Sequence, residues 1–147
     1  MPSRDLGSRL CLGRKFWAMS LFAWLAVYSS VAGADDSIGE WRTPAVMHVQ
    51  VRPCGESVCG RIVRLPDSSI KDLQNPEARL RPRPVLGIEI FTGIRRSRNG
   101  WKGHMYVPES GNTYVSRIVN IDRVQLQVSY CGPLGFFCIR EIWTRTR

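Results

Sequence analysis

The stretches that decide the fold are two short motifs, Gly39-Glu40-Trp41 and Trp143-Thr144-Arg145. Between them lie short segments in which apolar and polar residues alternate, the pattern of half-buried β-strands. Many short strands joined by short turns are typical of a sandwich or a closed barrel, and a barrel also removes the exposed edges of a single sheet. We therefore predict an all-β fold, a small antiparallel up-and-down β-barrel in which the first and last strands meet.

The alternation predicts seven strands, or eight if residues 39–41 pair separately before the break at Pro44. Gly60 is a predicted bulge or point of close approach, and Gly87 and Gly93 are predicted bends of the kind that a barrel needs in order to curve. In the segment 85–94, the side chains of Leu86, Ile88 and Ile90 are expected on one face. The predicted strands cover residues 45–52, 58–65, 85–94, 101–107, 113–121, 124–130 and 136–145.

The first 34 residues have the composition of an export signal. A basic start is followed by an uncharged apolar run at 16–27, and Ala32-Gly33-Ala34 fits the A-x-A cleavage pattern. The apolar run is about a dozen residues, shorter than the ~20 that a membrane-spanning helix needs. We predict a cleavable signal peptide at 1–34 and a single barrel domain at 35–147. The predicted location is the periplasm, with secretion or an uncleaved N-terminal anchor as alternatives.

The chain carries a formal net charge of +9, and most of its basic residues are arginines. In an exported protein this charge indicates anionic surroundings, such as envelope phosphates, anionic lipids, acidic glycans or a carboxylate ligand. A solvated basic surface without a partner is the alternative. Nucleic acid is not a predicted partner, because the chain has no long Lys/Arg block and no recognised nucleic-acid motif.

Four cysteines follow the predicted signal, Cys54, Cys59, Cys131 and Cys138. An even number in a small exported domain indicates disulfides, and four cysteines allow three pairings. Turn-forming residues lie between the members of each close pair, which favours Cys54–Cys59 and Cys131–Cys138, each stapling a hairpin. Zinc is the alternative, but neither spacing is C-x-x-C, so we predict no metal.

One segment, 66–84, is too long and too polar for a hairpin turn, and loops of this length in small domains are usually functional or disordered. Asp72 and Asn75 either cap turns or contribute to a site. Arg81 and Arg83 either bridge the loop to the barrel or clamp a carboxylate or phosphate, since two residues spaced by two share a face when extended. The bridging interpretation is favoured, because opposite charges within one loop can satisfy each other.

An ordered set of motifs runs through nearly all of the predicted domain: Gly39-x-Trp41, Cys54-Gly55, Cys59-Gly60-Arg61-Ile62-Val63, Asp72 with Asn75-Pro76, Leu80-Arg81-x-Arg83-Pro84, Gly87, Trp101-x-Gly103, Tyr106-x-Pro108, Gly111-x-Thr113-Tyr114 and Trp143-Thr144-Arg145. This set resembles that of the exported bacterial Domain of Unknown Function 2147 family. The resemblance implies a lipocalin-like, calycin-type barrel. It also implies that Arg145, at the end of the last strand, packs on Trp41 and closes the barrel, with a cation–π contact over the indole.

No complete catalytic set is visible. There is no G-x-S-x-G motif, the two histidines, His48 and His104, lie on separate predicted strands, and no carboxylate cluster suggests a metal. We therefore predict no catalytic residue and no cofactor. An enzyme that uses the 66–84 loop is the least favoured alternative.

The leading hypothesis is an exported small barrel that binds a lipid-like or otherwise amphipathic, or anionic, small ligand, since an eight-stranded barrel is wide enough for one. The alternative is a structural or interaction protein of the envelope with a filled barrel, in which Phe136-Phe137 is an exposed tip for a membrane or a partner. The sequence does not predict the oligomeric state. The residues predicted to bind the ligand are Asp72, Asn75, Arg81, Arg83, Trp101, Tyr106 and Tyr114.

Overall fold

The structure is a computed structural model and describes residues 35–146, so the predicted signal peptide lies outside the described residues. Eight antiparallel strands form one closed barrel in chain order, with β1 pairing to β8. The strands are β1 Gly39–Arg42, β2 His48–Cys54, β3 Ser57–Arg64, β4 Glu89–Ser97, β5 Gly100–Val107, β6 Asn112–Asn120, β7 Gln125–Cys131 and β8 Cys138–Arg145. The prediction of a small up-and-down β-barrel is confirmed. Within residues 35–146, no helix is long and apolar enough to span a membrane.

Alternation along the strands separates the interior of the barrel from its outer face. On β2 the side chains of Val49 and Val51 are fully buried, and on β7 those of Leu126 and Val128 are. The residues between them face outward, because successive side chains of a strand point to opposite faces. The alternation of apolar and polar residues along these two strands therefore matches the alternation between the interior and the outer face.

Three predicted strands begin two or more residues too early, and the last of them, predicted at 136–145, begins at Cys138. Residues 45–47 belong to a turn closed by the Thr43 N–H, which donates to the Met47 carbonyl at 2.8 Å. Residues 85–88 form another turn, in which Gly87 has a φ of 90°. The prediction that Leu86 shares one face with Ile88 and Ile90 is wrong, since Leu86 precedes β4 and is exposed, whereas Ile88 and Ile90 are buried.

The centre of the barrel is filled by aromatic rings. Phe91 stacks on Trp143 with 5.6 Å between ring centroids, and both side chains are buried. The pairing of β3 with β4 shifts register at Gly60, where a Cβ atom would lie 2.3 Å from the Phe91 ring. Gly60 is thus the predicted point of close approach, and the missing side chain makes room for Phe91.

The meander places alternate turns at opposite ends of the barrel. The end that carries residues 43–47, 65–88, 107–112 and 131–138 is called the open end here, and the opposite end is called the closed end. The two disulfides lie at different ends. Cys54–Cys59 staples β2 to β3 at the closed end, and Cys131–Cys138 staples β7 to β8 at the open end. Both predicted pairings are confirmed.

Arg145 joins the last strand to the first at the closed end. Its guanidinium carbon lies 4.3 Å from the centroid of the Trp41 ring, and Trp41 pairs with Arg145 across the β1–β8 seam. The guanidinium donates to the carbonyls of Ile38 at 2.8 Å, Arg123 at 2.6 Å and Asp36. The side chain of Arg145 therefore connects β8 to β1, to the β6–β7 turn and to the segment before β1.

The segment 35–38 covers the same end of the barrel. The Trp41 indole donates to the Ser37 carbonyl at 2.9 Å, and the Ser37 hydroxyl donates to the Asn120 side chain at 2.6 Å. Asp35 forms an ion pair with Arg96 at 2.5 Å. These contacts satisfy buried polar groups that would otherwise face apolar rings.

Replacing Arg145 by Ala should lower the free energy of unfolding by about 3 kcal/mol, because it removes a cation–π contact and several hydrogen bonds from a charged donor. Urea unfolding followed by tryptophan fluorescence measures the change. Arg42→Ala is the matched control, since Arg42 is an exposed arginine of the adjoining strand β1. Equal stability losses in both variants would contradict a closure role for Arg145.

Candidate functional site

The segment between β3 and β4 folds around a buried carboxylate. Asp72 has no exposed surface, and its Oδ2 atom accepts hydrogen bonds from Arg83 Nε at 2.9 Å and from the Asn75 amide at 2.7 Å. Its Oδ1 atom accepts the Tyr106 hydroxyl at 2.6 Å. Arg83 Nη2 lies 2.8 Å from the same carboxylate and completes an ion pair. The polar groups of this network thus form hydrogen bonds and an ion pair with one another.

Backbone contacts hold the same segment in place. The Asp72 N–H donates to the Arg83 carbonyl at 3.0 Å, and the Val85 N–H donates to the Ile70 carbonyl at 2.9 Å. Gly111 in the β5–β6 turn lies so close that a Cβ atom there would be 1.8 Å from the Gln74 carbonyl oxygen. The 66–84 loop is therefore a folded flap packed against β5 and the β5–β6 turn.

The two loop arginines do not form the pair that an extended backbone would give. A short 3-10 helix, Ala78–Leu80, precedes them, and Arg81 itself has helical angles, with φ −58° and ψ −35°. The predicted extended conformation around 81–83 is wrong for this reason. Arg81 Nε donates to the Asn75 carbonyl at 2.8 Å, whereas Arg83 is bound to Asp72.

The seven predicted ligand-binding residues lie in three places. The Asp72 network takes up Asn75, Arg81, Arg83 and Tyr106, with Arg81 joined through the backbone of Asn75. Burial and the hydrogen bond to Asp72 raise the pKa of Tyr106. Trp101 is buried at the closed end under the guanidinium of Arg96, 4.4 Å from the ring centroid. Tyr114 is at the open end, and the part of these residues in ligand binding remains a prediction.

A cavity of about 250 Å³ opens between the strands at the open end, and we call it the cup. Its apolar wall includes the inward side chains of Ile62, Ile90, Met105 and Trp143. The last of these is the indole that stacks on Phe91, so the filled centre of the barrel forms the floor of the cup.

The polar side of the cup is built by β7 and β8. Glu141 accepts the Tyr130 hydroxyl at 2.9 Å through Oε1 and the Trp143 indole N–H at 2.8 Å through Oε2. Burial, followed by the hydrogen bond to Glu141, raises the pKa of Tyr130 well above its usual range. Glu109 is exposed at the rim. The charged side chains that line the cup are thus two carboxylates, Glu109 and Glu141.

A second hollow of about 310 Å³ adjoins the cup beneath the flap, and we call it the groove. The two share Ala45, Met47, Pro108 and Glu109 as lining residues. The rest of the groove is mainly apolar, with Leu65, Ile70, Leu73 and Val85 among its walls. Because of these shared residues, the lining of the cup continues into that of the groove, from the barrel interior to the flap.

Glu141 and Tyr130 are not among the residues predicted from the sequence to bind a ligand. Glu141 is two residues before the buried Trp143 on β8, and Tyr130 is two residues after Val128 on β7. The period-2 rule therefore placed both on inward faces once the strands were assigned. A carboxylate at an inward position was the signal that could have found this site.

The described residues offer little for binding a metal ion or for activating a nucleophile. The cluster of side chains closest to a metal-binding arrangement there is Cys54, Cys59 and Glu89, but its two sulfurs form a disulfide and offer no thiolate. His48 contacts Glu40 at 2.7 Å on the outer face, away from the cup. What the open end can do is bind a molecule with an apolar part.

Two comparisons describe what the chain is similar to. The family DUF2147, described as an uncharacterized protein conserved in bacteria, matches residues 39–145. A solved structure of a lipocalin-family protein from Helicobacter pylori superposes with a TM-score of 0.66 and 20% identity, covering 75% of this chain and 82% of that one. The curated proteins contain no match. The structural likeness shows a lipocalin-like fold.

Asp72→Asn should lower the free energy of unfolding by about 2–4 kcal/mol, because it removes one partner of a buried ion pair and turns a donor toward other donors. Chemical unfolding measures this loss. Glu77→Gln is the control from the same flap, since Glu77 pairs with Arg79 in an exposed position and should change stability by about 1 kcal/mol or less. If Asp72→Asn left stability intact, the carboxylate would be poised for a ligand instead.

Proposed function

The chain belongs to the DUF2147 family, and we propose that it binds a small amphipathic or lipid-like ligand at the open end of the barrel. The observation that carries the proposal is the cup, an apolar pocket with two carboxylates, next to the apolar groove. Mostly apolar pockets with a few placed polar groups are typical of small-molecule sites. Binding is passive, and no covalent step is involved.

The dimensions of the two hollows restrict the ligand. Ligand pockets are usually ~300–1,000 Å³, and the cup alone, at about 250 Å³, falls just below this range. The stacked rings of Phe91 and Trp143 prevent deeper entry into the barrel. The ligand therefore places its polar head in the cup and its apolar part along the groove, against Leu65, Ile70 and Val85.

The charge of the cup favours one kind of head group. Glu141 and Glu109 accept hydrogen bonds and attract positive charge, and no basic side chain lines the cup. Arg83 is bound to Asp72, outside the cup. A head that donates hydrogen bonds or carries positive charge fits these groups, whereas the anionic head expected from the arginines of the flap does not.

The periplasm is the proposed place of action. The export-type composition of residues 1–34 supports this location, and so do the two disulfides, because such bonds persist in oxidising compartments. Mass spectrometry of protein recovered from the periplasm should find Asp35 as the first residue. A chain that retains residues 1–34 in the membrane fraction would contradict cleavage.

A specific observation also favours a second candidate, an interaction protein of the cell envelope that carries no ligand. The Phe91–Trp143 stack fills the centre of the barrel, as a purely structural core would. Binding measurements on the cup separate the two candidates, since the second predicts no saturable small-molecule binding at the open end.

The ligand proposal is tested with two probes of equal chain length, dodecylamine and dodecanoate, by titration calorimetry below their micelle concentrations. The amine should bind about tenfold more tightly, because it gains a charge-assisted contact with Glu141. Glu141→Gln should remove most of that preference. Ala45→Trp should abolish binding of both probes, since Ala45 lines both hollows and lies in an exposed turn.

Glu77→Gln serves as the matched control for Glu141→Gln, because it removes an exposed carboxylate that does not line either hollow. Its affinity for the amine should equal that of the unchanged protein. Undiminished binding in Ala45→Trp, or the absence of saturable binding by the unchanged protein, would reject the cup as the site.

A further inference from the structure

Four basic side chains form a row across the outer face of the barrel, on the strands of its second half. Arg95 of β4 pairs with Lys102 of β5, which pairs with Arg117 of β6. The row continues through Ser129 of β7 to Arg140 of β8. Neighbouring strands are ~4.8 Å apart. These exposed side chains therefore form a continuous line that runs from near the closed end at Arg95 to near the open end at Arg140.

The row is electrostatically unfavourable within the described chain. Like charges directly opposite each other on paired strands destabilise a sheet. Arg95, Lys102 and Arg117 are three such neighbours, and no ion pair joins any member of the row to an acidic residue of 35–146. Glu141, which follows Arg140 in the sequence, does not relieve the repulsion, because its carboxylate lines the cup and accepts hydrogen bonds from Tyr130 and Trp143. A partner with negative charge would relieve it.

The β7–β8 hairpin presents an apolar tip beside this row. Leu134 and Phe136 are each 80% exposed, and Phe137 is 87% exposed. The Cys131–Cys138 disulfide and a hydrogen bond from the Gly132 N–H to the Phe137 carbonyl at 2.9 Å hold the tip together. These three large apolar side chains are thus exposed to solvent on a disulfide-bonded hairpin, and they do not cover any apolar surface of the described chain.

The row and the tip border the same open hollow of about 530 Å³ on the outer face. Lys102, Arg117 and Arg140 line it from the sheet, and the hairpin lines it through Gly132, Pro133 and Gly135. The cations and the apolar tip can therefore contact one surface at the same time.

We propose that this face docks the protein on an anionic phospholipid membrane, with Leu134, Phe136 and Phe137 at the boundary between head groups and acyl chains. Basic side chains near an anionic membrane attract it, and aromatic side chains settle at the interface. Each signal alone binds weakly, and stable attachment needs two, which this face combines. A soluble polyanion would satisfy the cations but leave the tip in water.

Docking in this orientation has a consequence for the open end. The tip extends from β7 and β8, the strands that contribute Tyr130 and Glu141 to the cup. Membrane contact therefore brings the cup close to the bilayer. The docking proposal nevertheless stands without a ligand in the cup, since none of the residues of the row or the tip lines it.

The test uses protein expressed from the full coding sequence and purified in the form that the cell produces, floated with vesicles. Vesicles of equal parts phosphatidylcholine and phosphatidylglycerol should bind it, and vesicles of phosphatidylcholine alone should bind it far less. Arg117→Gln with Arg140→Gln should weaken binding to the anionic vesicles about 30-fold, from about fivefold for each basic residue near the surface. Phe136→Ser with Phe137→Ser should weaken it about tenfold or more.

Arg42→Gln with Arg64→Gln is the charge-matched control, because both arginines are exposed and lie on β1 and β3, strands that carry neither the row nor the hairpin. This variant should bind within about threefold of the unchanged protein. All variants carry the same N-terminus, and their thermal unfolding midpoints should agree, since every changed side chain is exposed.

Three results would overturn the proposal. The first is an equal loss of binding in the control, which would mean that net charge alone attracts the membrane. The second is full binding by the variant without Phe136 and Phe137. The third is tighter binding to soluble polyphosphate than to anionic vesicles, which would make the partner a soluble polyanion.

Discussion

The contact between the Arg145 guanidinium and the Trp41 indole is the interaction on which the rest of the barrel depends. It joins the first and last strands across the β1–β8 seam, where β1 is only four residues long. The same guanidinium binds the carbonyls of Ile38 and Arg123, so it also fixes the segment that covers the closed end. With that end sealed, access to the interior is left to the opposite end.

A second constraint comes from the way the centre is filled. Gly60 leaves room for the ring of Phe91, which stacks on Trp143, and these rings divide the interior into a solid lower part and a shallow cup. The flap around Asp72 is held by its own ion pair and by Tyr106, so its polar residues serve the fold. The groups that remain for a ligand are those that line the cup and the groove. The outer face carries a row of charges and an apolar tip that do not stabilise the fold.

Much of the fold could be predicted because it rests on local rules. The alternation of apolar and polar residues predicted the strands, and the turn residues between the cysteines favoured the two disulfides that the structure contains. The errors arose where a turn interrupted an apolar run, as at Leu86, or where a helical turn replaced an extended chain, as at Arg81. The candidate site was predicted less well, because the prediction rested on the charged residues of the loop. Glu141 is a single carboxylate on an inward strand face.

Periodicity along the chain predicted the fold class, and the turn residues between the cysteines favoured the two stapled hairpins, because both patterns are local. The family resemblance implied the contact between Trp41 and Arg145. Which polar groups remain available for a ligand depends on the three-dimensional packing of the chain. Asp72 and Arg83 are eleven positions apart, and their contact follows from the path of the flap. Likewise, Lys102, Arg117 and Arg140 are distant in sequence and become neighbours through strand register. Strand register and loop path depend on packing across the whole barrel, and for this reason no local pattern encodes them.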